Sequence, residues 1–244
     1  MKKLLGVIPA RYASTRFPGK PLVEIQGVSM IQRVYTQCQQ AEELDEVVVA
    51  TDDERIFEHV QSFGGQVEMT REAHPSGTDR VAEVAARRAD FDWVINIQGD
   101  EPFLDPEQVN LLARMVKTHG GIGTLVRPLT EVERLNDPNT VKVVRSVSGA
   151  ALYFSRAAIP FVRGRNLEDW LTQQDYFEHI GLYGFERKVL LELTHLDKTQ
   201  LEQSESLEQL RWLAHGYPIQ TAISNHRSIS IDTPDDLKRV SSGF

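Results

Sequence analysis

The chain is organised around the stretch Leu4-Leu-Gly-Val-Ile-Pro-Ala-Arg-Tyr-Ala-Ser-Thr-Arg-Phe-Pro-Gly-Lys-Pro-Leu22. Its first five residues form an apolar run typical of a buried strand, which we expect to stop at Pro9 because proline cannot donate to a sheet ladder. The loop that follows carries Arg11, Arg16 and Lys20 and no acidic residue. In a chain of net charge −8, a basic loop after the first strand of an α/β protein predicts an anion site. We interpret the loop as a triphosphate-binding segment.

This loop differs from the two common nucleotide-binding motifs. Ser14 stands where a P-loop needs its first glycine, and Pro21 follows Lys20 where a P-loop needs serine or threonine. The three spaced glycines of the Rossmann pattern are also missing from the stretch. Taken alone, the loop therefore leaves two alternatives open: its cations are solvated surface charge, or they form a docking site for another protein.

Composition limits the class of protein. With 244 residues, 41% hydrophobic and 25% charged, the chain is expected to fold as one domain or as a domain with a subdomain. The single cysteine, Cys38, excludes an intramolecular disulfide and a cysteine metal cluster, which favours the cytoplasm. An acidic pI near 5.4 argues against nucleic acid as the main partner. No apolar run approaches the about 20 residues of a membrane span, and Pro9 interrupts any signal sequence.

The first half of the chain alternates between strand and helix patterns. Such alternation predicts a parallel sheet with helices on both faces. The predicted elements are a helix containing Met30, Ile31, Val34 and Tyr35, a strand over 47–50, a helix from 54 to the Gly64-Gly65 pair, a strand over 67–69, a helix over 78–88, a strand over 93–97 and a helix over 106–119 that begins at Asp105.

The second half is less regular, and we expect it to form a lid or subunit-contact subdomain on a nucleotide-binding core. Its predicted elements are a hairpin of 141–145 and 151–154, a flexible insertion over 164–176, a strand over 180–185, a helix over 204–215, a late strand over 229–231 and a C-terminal helix.

Two aspartates are candidate magnesium ligands. Asp100 lies just beyond a predicted central strand, at the sheet edge where α/β proteins bind ligands, although it could simply cap a turn before Pro102. In the late acidic run, Thr233 and Asp236 form a capping-box pattern with proline between them. This pattern leaves Asp232 outside the helix, which makes it the second candidate.

The remaining candidates are each ambiguous from local sequence. Ser76-Gly-Thr78 could cap a helix or hydrogen-bond the edge of a pyrimidine. His179 could be a core or turn histidine rather than a functional one. Glu208-Gln209 could lie on a solvated or interface face of a helix, and Arg156 and Arg163 could meet an acidic substrate or only solvent.

Seven ordered blocks of the chain together resemble the CMP-Kdo synthetase family, that is, the 3-deoxy-manno-octulosonate cytidylyltransferases, over nearly the whole length. The blocks are Ile8-Pro-Ala-Arg-Tyr-Ala-Ser-Thr-Arg-Phe-Pro-Gly-Lys-Pro-Leu22, His74-Pro-Ser-Gly-Thr-Asp-Arg80, Asn96-Ile-Gln-Gly-Asp-Glu-Pro102, Ala151-Leu-Tyr-Phe-Ser-Arg156, His179-Ile-Gly-Leu-Tyr183, Ser206-Leu-Glu-Gln-Leu-Arg211 and Asp232-Thr-Pro234. Each block alone would be a weak signal, and the ordered set is specific.

The resemblance implies a fold and a reaction. It implies a single nucleotide-sugar-transferase-like, Rossmann-like α/β domain with a mixed, mostly parallel sheet, acting as a cytoplasmic homodimer. Within this one domain of 1–244, residues 1–125 would bind CTP, roughly 126–200 would bind the sugar and contact the second subunit, and 201–244 would return to the core. The implied reaction uses Mg²⁺ and transfers CMP from CTP to the eight-carbon acid sugar Kdo for lipopolysaccharide synthesis.

The resemblance also implies roles for individual residues. Arg11 and Lys20 would contact the triphosphate and stabilise the leaving pyrophosphate, and Asp100 and Asp232 would hold the metal. The other implied CTP-binding residues are Pro9, Ala10, Ser14, Arg16, Ser76, Gly77, Thr78 and Gln98, of which 76–78 would face the cytosine. The implied sugar-binding residues are Arg156, His179, Tyr183, Glu208 and Gln209.

Two positions depart from the family pattern. Ser230 stands where glycine is expected beside Asp232, and Pro75 replaces a residue that is often glutamine. Two other functions also fit the sequence: the same transfer to 8-amino-Kdo or another acid sugar, and a non-catalytic nucleotide-binding protein of the same fold.

Overall fold

The structure is a computed structural model, and it describes residues 3–13, 17–226, 231 and 233–241. Up to residue 119 the chain forms β1 (Lys3–Ala10), β2 (Glu24–Ile25), β3 (Val28–Ser29), α1 (Met30–Gln39), β4 (Glu46–Thr51), α2 (Glu54–Ser62), β5 (Val67–Met69), α3 (Gly77–Arg87), β6 (Phe91–Asn96) and α4 (Pro106–His119).

The later elements are β7 (Ile122–Leu129), α5 (Val132–Asn136), β8 (Lys142–Arg145), β9 (Ala151–Ser155), α6 (Trp170–Gln173), β10 (Tyr176–Glu186), α7 (Arg187–Leu193), α8 (Gln200–Glu205), α9 (Gln209–Ala214), β11 (Ile219–Ile223) and α10 (Pro234–Ser241).

One central sheet organises these elements, in the strand order β11-β7-β10-β6-β1-β4-β5. Neighbouring strands run parallel except at β10, which is antiparallel to both β6 and β7. The hairpin of β8 and β9 attaches to the start of β10. The prediction of an α/β fold with a mixed, mostly parallel sheet is therefore confirmed.

Helices cover both faces of the sheet, as the alternation of elements predicted. Side chains of β1 point alternately to the two sides, so Leu4 and Ile8 join the apolar cluster beneath α1, α2 and α4. Leu5 and Val7 join the opposite cluster, beneath α3, α7 and α9. Because β1 is buried from both sides, its apolar run is continuous rather than alternating.

Pro9 does not end the first strand, which continues to Ala10. The Val7 carbonyl accepts from the Ile97 N–H, so the backbone groups of Val7 face β6. Two residues on, Pro9 faces the same side, but β6 has already ended at Asn96. The missing proline N–H therefore costs no ladder hydrogen bond, and the prediction of a stop at Pro9 is wrong for this reason.

Helix caps confirm two of the predicted helix starts. Helix α4 begins at Pro106 with Asp105 as its N-cap, whose side chain accepts from the Glu107 N–H at 2.8 Å. At α10, Thr233 Oγ1 accepts from the Asp236 N–H at 3.2 Å, and Asp236 Oδ2 accepts from the Thr233 N–H at 2.9 Å. This reciprocal pair is the predicted capping box.

Three features of the second half differ from the sequence prediction or lie outside the described residues. The single helix predicted over 204–215 is two helices, α8 and α9, because Ser206 adopts a left-handed conformation with φ 51°. Strands β7 and β11 were not predicted, since Gly123 and Pro128 interrupt the apolar pattern of β7 and β11 is only five residues long. The late strand predicted over 229–231 lies outside the described residues except for Ile231.

The predicted insertion over 164–176 is folded around an aromatic anchor. Trp170 is 5% exposed and Tyr176 is 2% exposed, and both pack with Leu129 and Leu135 in a small apolar cluster. The Tyr176 hydroxyl donates to the Pro160 carbonyl at 2.6 Å. The prediction of a flexible segment missed this anchoring because most of the surrounding residues are polar.

Helix α4 packs closely on the sheet because two glycines face it. Gly123 of β7 and Gly184 of β10 are paired across the two strands. A Cβ atom on Gly184 would lie 2.8 Å from a methyl group of Val116, and one on Gly123 would lie 2.6 Å from the same side chain. Val116 is β-branched and stiff at χ1, so it cannot easily move aside.

We therefore expect Gly184→Ala to lower the free energy of unfolding by roughly 1–3 kcal/mol through overpacking. Urea unfolding of the two proteins would measure this loss. Gly181→Ala is the matched control on the same strand, because a Cβ atom there would meet nothing within 4 Å. Equal stability of Gly184→Ala and Gly181→Ala would contradict the close packing of α4.

Candidate active site

A cleft of about 270 Å³ lies beyond the carboxyl ends of β1 and β6. It brings together eight of the residues predicted from the sequence to bind CTP or metal. These are Pro9, Ala10, Arg11, Lys20, Ser76, Gly77, Gln98 and Asp100. The cleft is also lined by Pro21, His74, Pro75, Arg80 and Gly99. Its position is the edge at which open α/β sheets bind ligands.

Close approach of two loops shapes the floor of this cleft. A Cβ atom on Gly99 would lie 3.0 Å from the Pro9 carbonyl oxygen, so only glycine lets the loop after β6 approach the end of β1 this closely. Gly19 has φ 70° and donates to the Tyr12 carbonyl at 3.0 Å, which folds the basic loop back before Lys20. Both contacts direct polar groups toward the same opening.

Lys20 and Asp100 form an ion pair in the cleft. Lys20 Nζ donates to Asp100 Oδ2 at 2.7 Å, and the two side chains are 15% and 28% exposed. The cation of the basic loop and the carboxylate predicted to bind metal are thus direct neighbours. This contact favours the functional interpretation of Lys20 over that of a solvated surface charge.

Three predicted site residues, Ser14, Arg16 and Asp232, lie outside the described residues. The residue before Asp232 is described: Ile231 is fully buried, and its N–H donates to the Asp100 carbonyl at 3.0 Å. The chain immediately preceding Asp232 therefore reaches Asp100. Among the described residues, no group of three His, Cys, Asp or Glu side chains is arranged to hold a metal ion.

The start of α3 shows one of the two roles that its sequence left open, the helix cap. Ser76 is the N-cap: its Oγ accepts from the Asp79 N–H at 3.2 Å and donates to Asp79 Oδ2 at 2.5 Å. Ser76 and Gly77 also line the cleft. The hydroxyl of Thr78 instead donates to Glu208 Oε2 at 2.6 Å, and Thr78 is only 5% exposed.

The structure brings four of the five predicted sugar-binding residues to one region. His179 and Tyr183 lie on β10 with ring centroids 5.2 Å apart, while Glu208 and Gln209 begin α9. The Tyr183 hydroxyl is buried and has no hydrogen-bond partner among the described residues. Burial and the nearby Glu208 charge raise the pKa of Tyr183 well above 10, so its hydroxyl keeps its proton.

Arg156 is engaged elsewhere. Its guanidinium donates to backbone carbonyls of Glu205 at 2.7 Å and Pro138 at 2.9 Å, and more weakly to that of Ser206 at 3.5 Å. Arg156 lines neither the cleft nor a second cavity beside His179. In this structure Arg156 joins α8 to the chain around β8 and β9.

A bulge in β10 connects the cleft to the predicted sugar-binding strand. The pairing of β10 with β7 shifts register between Ile180 and Tyr183. Thr124 Oγ1 lies 2.8 Å from the Leu182 carbonyl and 2.9 Å from His179 Nε2, and the Gln98 amide donates to the Gly181 carbonyl at 3.3 Å. Hydrogen bonds from both sides therefore hold the bulge.

His179 lies between this bulge and a second cavity of about 300 Å³, which is lined by charged residues including Arg127, Arg134 and Glu178. Its ring packs edge-on against Phe154. Burial lowers the pKa of His179 from 6.5 to about 3, so the imidazole is neutral at physiological pH.

The sequence interpretation missed Arg80. Its side chain is 5% exposed, donates to Asp52 Oδ2 at 2.8 Å and to Thr70 Oγ1 at 2.6 Å, and lines the cleft. Two signals could have identified it. Arg80 lies four residues after Ser76 on the same helix face, and Asp52 lies two residues beyond the strand predicted over 47–50, at the ligand edge of the sheet.

The chain matches the cytidylyltransferase family over residues 5–223. It is 52% identical to the 3-deoxy-manno-octulosonate cytidylyltransferase of Bacteroides thetaiotaomicron over 98% of this chain and 96% of that protein. It is 48% identical to the protein of the same name from Cytophaga hutchinsonii over 97% and 96% of the two chains.

A solved structure also matches over nearly its full length. This is CMP:2-keto-3-deoxy-manno-octonic acid synthetase complexed with CTP, with a TM-score of 0.92 at 41% identity, covering 99% of this chain and 98% of that chain. Within the described part of the chain, every helix is too short or too polar to cross a membrane.

The partly buried His179 should make stability depend on pH. Because its folded pKa lies below its unfolded pKa, its contribution to stability is complete above pH 6.5 and is lost as pH falls toward 3. Lowering the pH from 7.5 to 5.5 should therefore cost about 1 kcal/mol through this residue.

Urea unfolding of wild type and His179→Gln at both pH values would measure this term as the difference between their pH dependences. The same substitution at the exposed His119 is the control. An unchanged pH dependence in His179→Gln would contradict a neutral, partly buried imidazole.

Proposed function

Because the chain belongs to the 3-deoxy-manno-octulosonate cytidylyltransferase family, we propose that it transfers CMP from CTP to the anomeric hydroxyl of 3-deoxy-D-manno-octulosonate (Kdo). The observation that carries this proposal is the Lys20–Asp100 pair in a cleft at the carboxyl edge of β1 and β6. The anomeric oxygen forms a bond to the α-phosphorus, the bond from that phosphorus to the β-phosphate oxygen breaks, and the products are CMP-Kdo and pyrophosphate.

The basic loop would bind the part of CTP that leaves. Arg11 and Lys20 place two cations at the opening of the cleft, where they attract the triphosphate and stabilise the charge that develops on pyrophosphate. Ser76, Gly77 and Gln98 line the same cleft and supply hydrogen-bonding groups for the rest of the nucleotide. Positioning and electrostatics would carry the catalysis without a covalent intermediate.

We propose Asp100 and Asp232 as the residues that would hold Mg²⁺. The described part of the site suits this ion, since Asp100 offers a hard carboxylate oxygen at the cleft and the chain before Asp232 is hydrogen-bonded to Asp100. When bound, Mg²⁺ supplies positive charge that lowers the pKa of the attacking hydroxyl and offsets phosphate charge. Lys20, paired with Asp100, would keep its ammonium group directed toward the same phosphates.

The region of His179, Tyr183, Glu208 and Gln209 would bind the sugar acid. The buried Tyr183 hydroxyl keeps its proton and lacks a partner among the described residues, which suits a hydrogen bond to a sugar oxygen. The neutral His179 adds a polar group without adding charge. The structure gives less support to Arg156 in this role, because its donors meet backbone carbonyls.

We further propose a homodimer that works in the cytoplasm and supplies CMP-Kdo to lipopolysaccharide synthesis. Side chains exposed in the second half of the chain support a subunit contact there. Leu152 on β9 is 61% exposed, Phe161 is 73% exposed, and Val147 stands at the turn between β8 and β9. Exposed apolar groups of this kind are common at protein interfaces.

Purified protein should release pyrophosphate from CTP and Kdo, and chelation of divalent metal should abolish that release. A coupled pyrophosphate assay with Kdo and with its 8-amino analogue would measure both the reaction and the choice of sugar. Faster turnover of the 8-amino sugar would replace Kdo as the substrate. Binding of CTP without pyrophosphate release from either sugar would favour a non-catalytic nucleotide-binding protein.

Asp100→Asn should lower kcat by about a hundredfold or more, because the amide keeps the size of the carboxylate but removes its charge. The same pyrophosphate assay at saturating CTP and sugar measures this loss. Asp92→Asn on the exposed side of β6 is the control and should retain wild-type activity. Wild-type turnover by Asp100→Asn would exclude Asp100 as a metal ligand.

A further inference from the structure

The carboxylate of Glu208 is contacted by Thr78 from α3 on one side and by Arg211 from α9 on the other. Its Oε2 accepts from the Thr78 hydroxyl at 2.6 Å, and its Oε1 lies 3.5 Å from Arg211 Nη2. Glu208 occupies the N-cap position of α9, yet its side chain makes no capping hydrogen bond to that helix. The carboxylate thus lies between the start of α3, through Thr78, and Arg211 of its own helix α9.

Arg211 is itself fixed by a two-point contact. Its Nε and Nη2 donate to Glu202 Oε2 at 2.8 Å and Oε1 at 2.6 Å, a bidentate geometry that sets the plane of the guanidinium. Arg211 is 7% exposed and Glu202 is 9% exposed. The left-handed turn at Ser206 separates α8 from α9 and lets Glu202 and Glu208 both meet Arg211.

Thr78 has its one hydroxyl proton committed to Glu208. A hydroxyl donates a single hydrogen bond, and the Thr78 hydroxyl makes this bond from a residue that is only 5% exposed. Its neighbours Ser76 and Gly77 line the cleft, but Thr78 does not. The family resemblance implies that residues 76–78 all face the cytosine. In the structure the Thr78 hydroxyl instead faces Glu208.

We propose that Thr78 is a positioning residue for Glu208, and that Arg211, held by Glu202, restrains the other oxygen of the same carboxylate. This inference rests on the proposed function, in which Glu208 binds the sugar acid. The first turn of α3 then serves both substrates: Ser76 and Gly77 face the nucleotide, while Thr78 aims a carboxylate at the sugar.

The surroundings of Glu208 explain why it needs such support. Burial raises its pKa, whereas the hydrogen bond from Thr78, the nearby Ser76 hydroxyl and the charge of Arg211 lower it, and the charge of Asp79 raises it again. Loss of the Thr78 hydroxyl would remove one of the groups that favour the charged, correctly oriented carboxylate.

The test compares Thr78→Val, which removes the hydroxyl at nearly constant volume, with Thr78→Ser, which keeps it. We expect kcat/KM for the sugar to fall about tenfold in Thr78→Val, while the KM for CTP changes by less than about twofold. Thr78→Ser should recover most of the loss. Thr194→Val is the matched control, because its hydroxyl donates only within α7, to the Leu191 carbonyl at 2.9 Å.

Other outcomes would overturn the inference. A raised KM for CTP with an unchanged KM for the sugar would show that Thr78 contacts the nucleotide. Unchanged constants for both substrates would show that the Thr78–Glu208 bond does not act in the reaction. Absence of pyrophosphate release from the wild-type protein would remove the proposed function itself, and this inference with it.

If thermal unfolding shows that Thr78→Val is not folded, a second variant, Arg211→Lys, tests the inference. Arg211→Lys retains the charge but cannot hold Glu202 in a bidentate pair and reach Glu208 together. It should also lower kcat/KM for the sugar several-fold and leave the KM for CTP within about twofold. Equal loss for both substrates in Arg211→Lys would contradict a positioning role directed at the sugar.

Discussion

The candidate active site depends on the parallel pairing of β1 with β6. Because adjacent parallel strands end at the same edge of a sheet, the loop that follows β1 and the segment that follows β6 meet there. The first segment carries Arg11 and Lys20, and the second carries Gln98 and Asp100. Gly99 lets the backbone after β6 come close to the Pro9 carbonyl at the end of β1. The Lys20–Asp100 ion pair joins the same two segments.

Two cations near the hairpin of β8 and β9, Lys142 and Arg156, donate to backbone carbonyls. Lys142 is fully buried, and its ammonium group donates to the carbonyls of Asp137, Thr140 and Arg156 at 2.6–2.9 Å. Burial lowers the pKa of Lys142, and the surrounding carbonyl oxygens replace the water it gives up. Arg156 donates to neighbouring carbonyls in the same way. In this structure it supports the hairpin of β8 and β9, although the family resemblance implies that it binds the sugar.

Sequence predicted the family and most of the fold, while the positions of several candidate side chains became clear only in the structure. The family resemblance is confirmed, and eight predicted residues line one cleft because their motifs follow the predicted parallel strands. Local sequence could not show where the Thr78 hydroxyl points, since its partner Glu208 lies 130 residues away. The spacing from Ser76 pointed to Arg80, but only the fold shows that its partners Asp52 and Thr70 come from two other loops.

Strand β10, which is antiparallel to both of its neighbours β6 and β7, connects the cleft with the region of His179 and Tyr183. Strand β10 lies between β6 and β7, so its residues 179–183 lie near the end of β6. Gln98, which follows β6 and lines the cleft, donates to the Gly181 carbonyl there. The pairing of β10 with β7 shifts register after Ile180. The side chains still alternate between the two faces, since Ile180 and Leu182 join one apolar cluster and Tyr183 and Phe185 join the other. Thr124 from β7 and Gln98 from the cleft both bond to this bulge. Gln98, which lines the cleft, therefore also contacts the strand that carries His179 and Tyr183, so the cleft and this strand are directly connected.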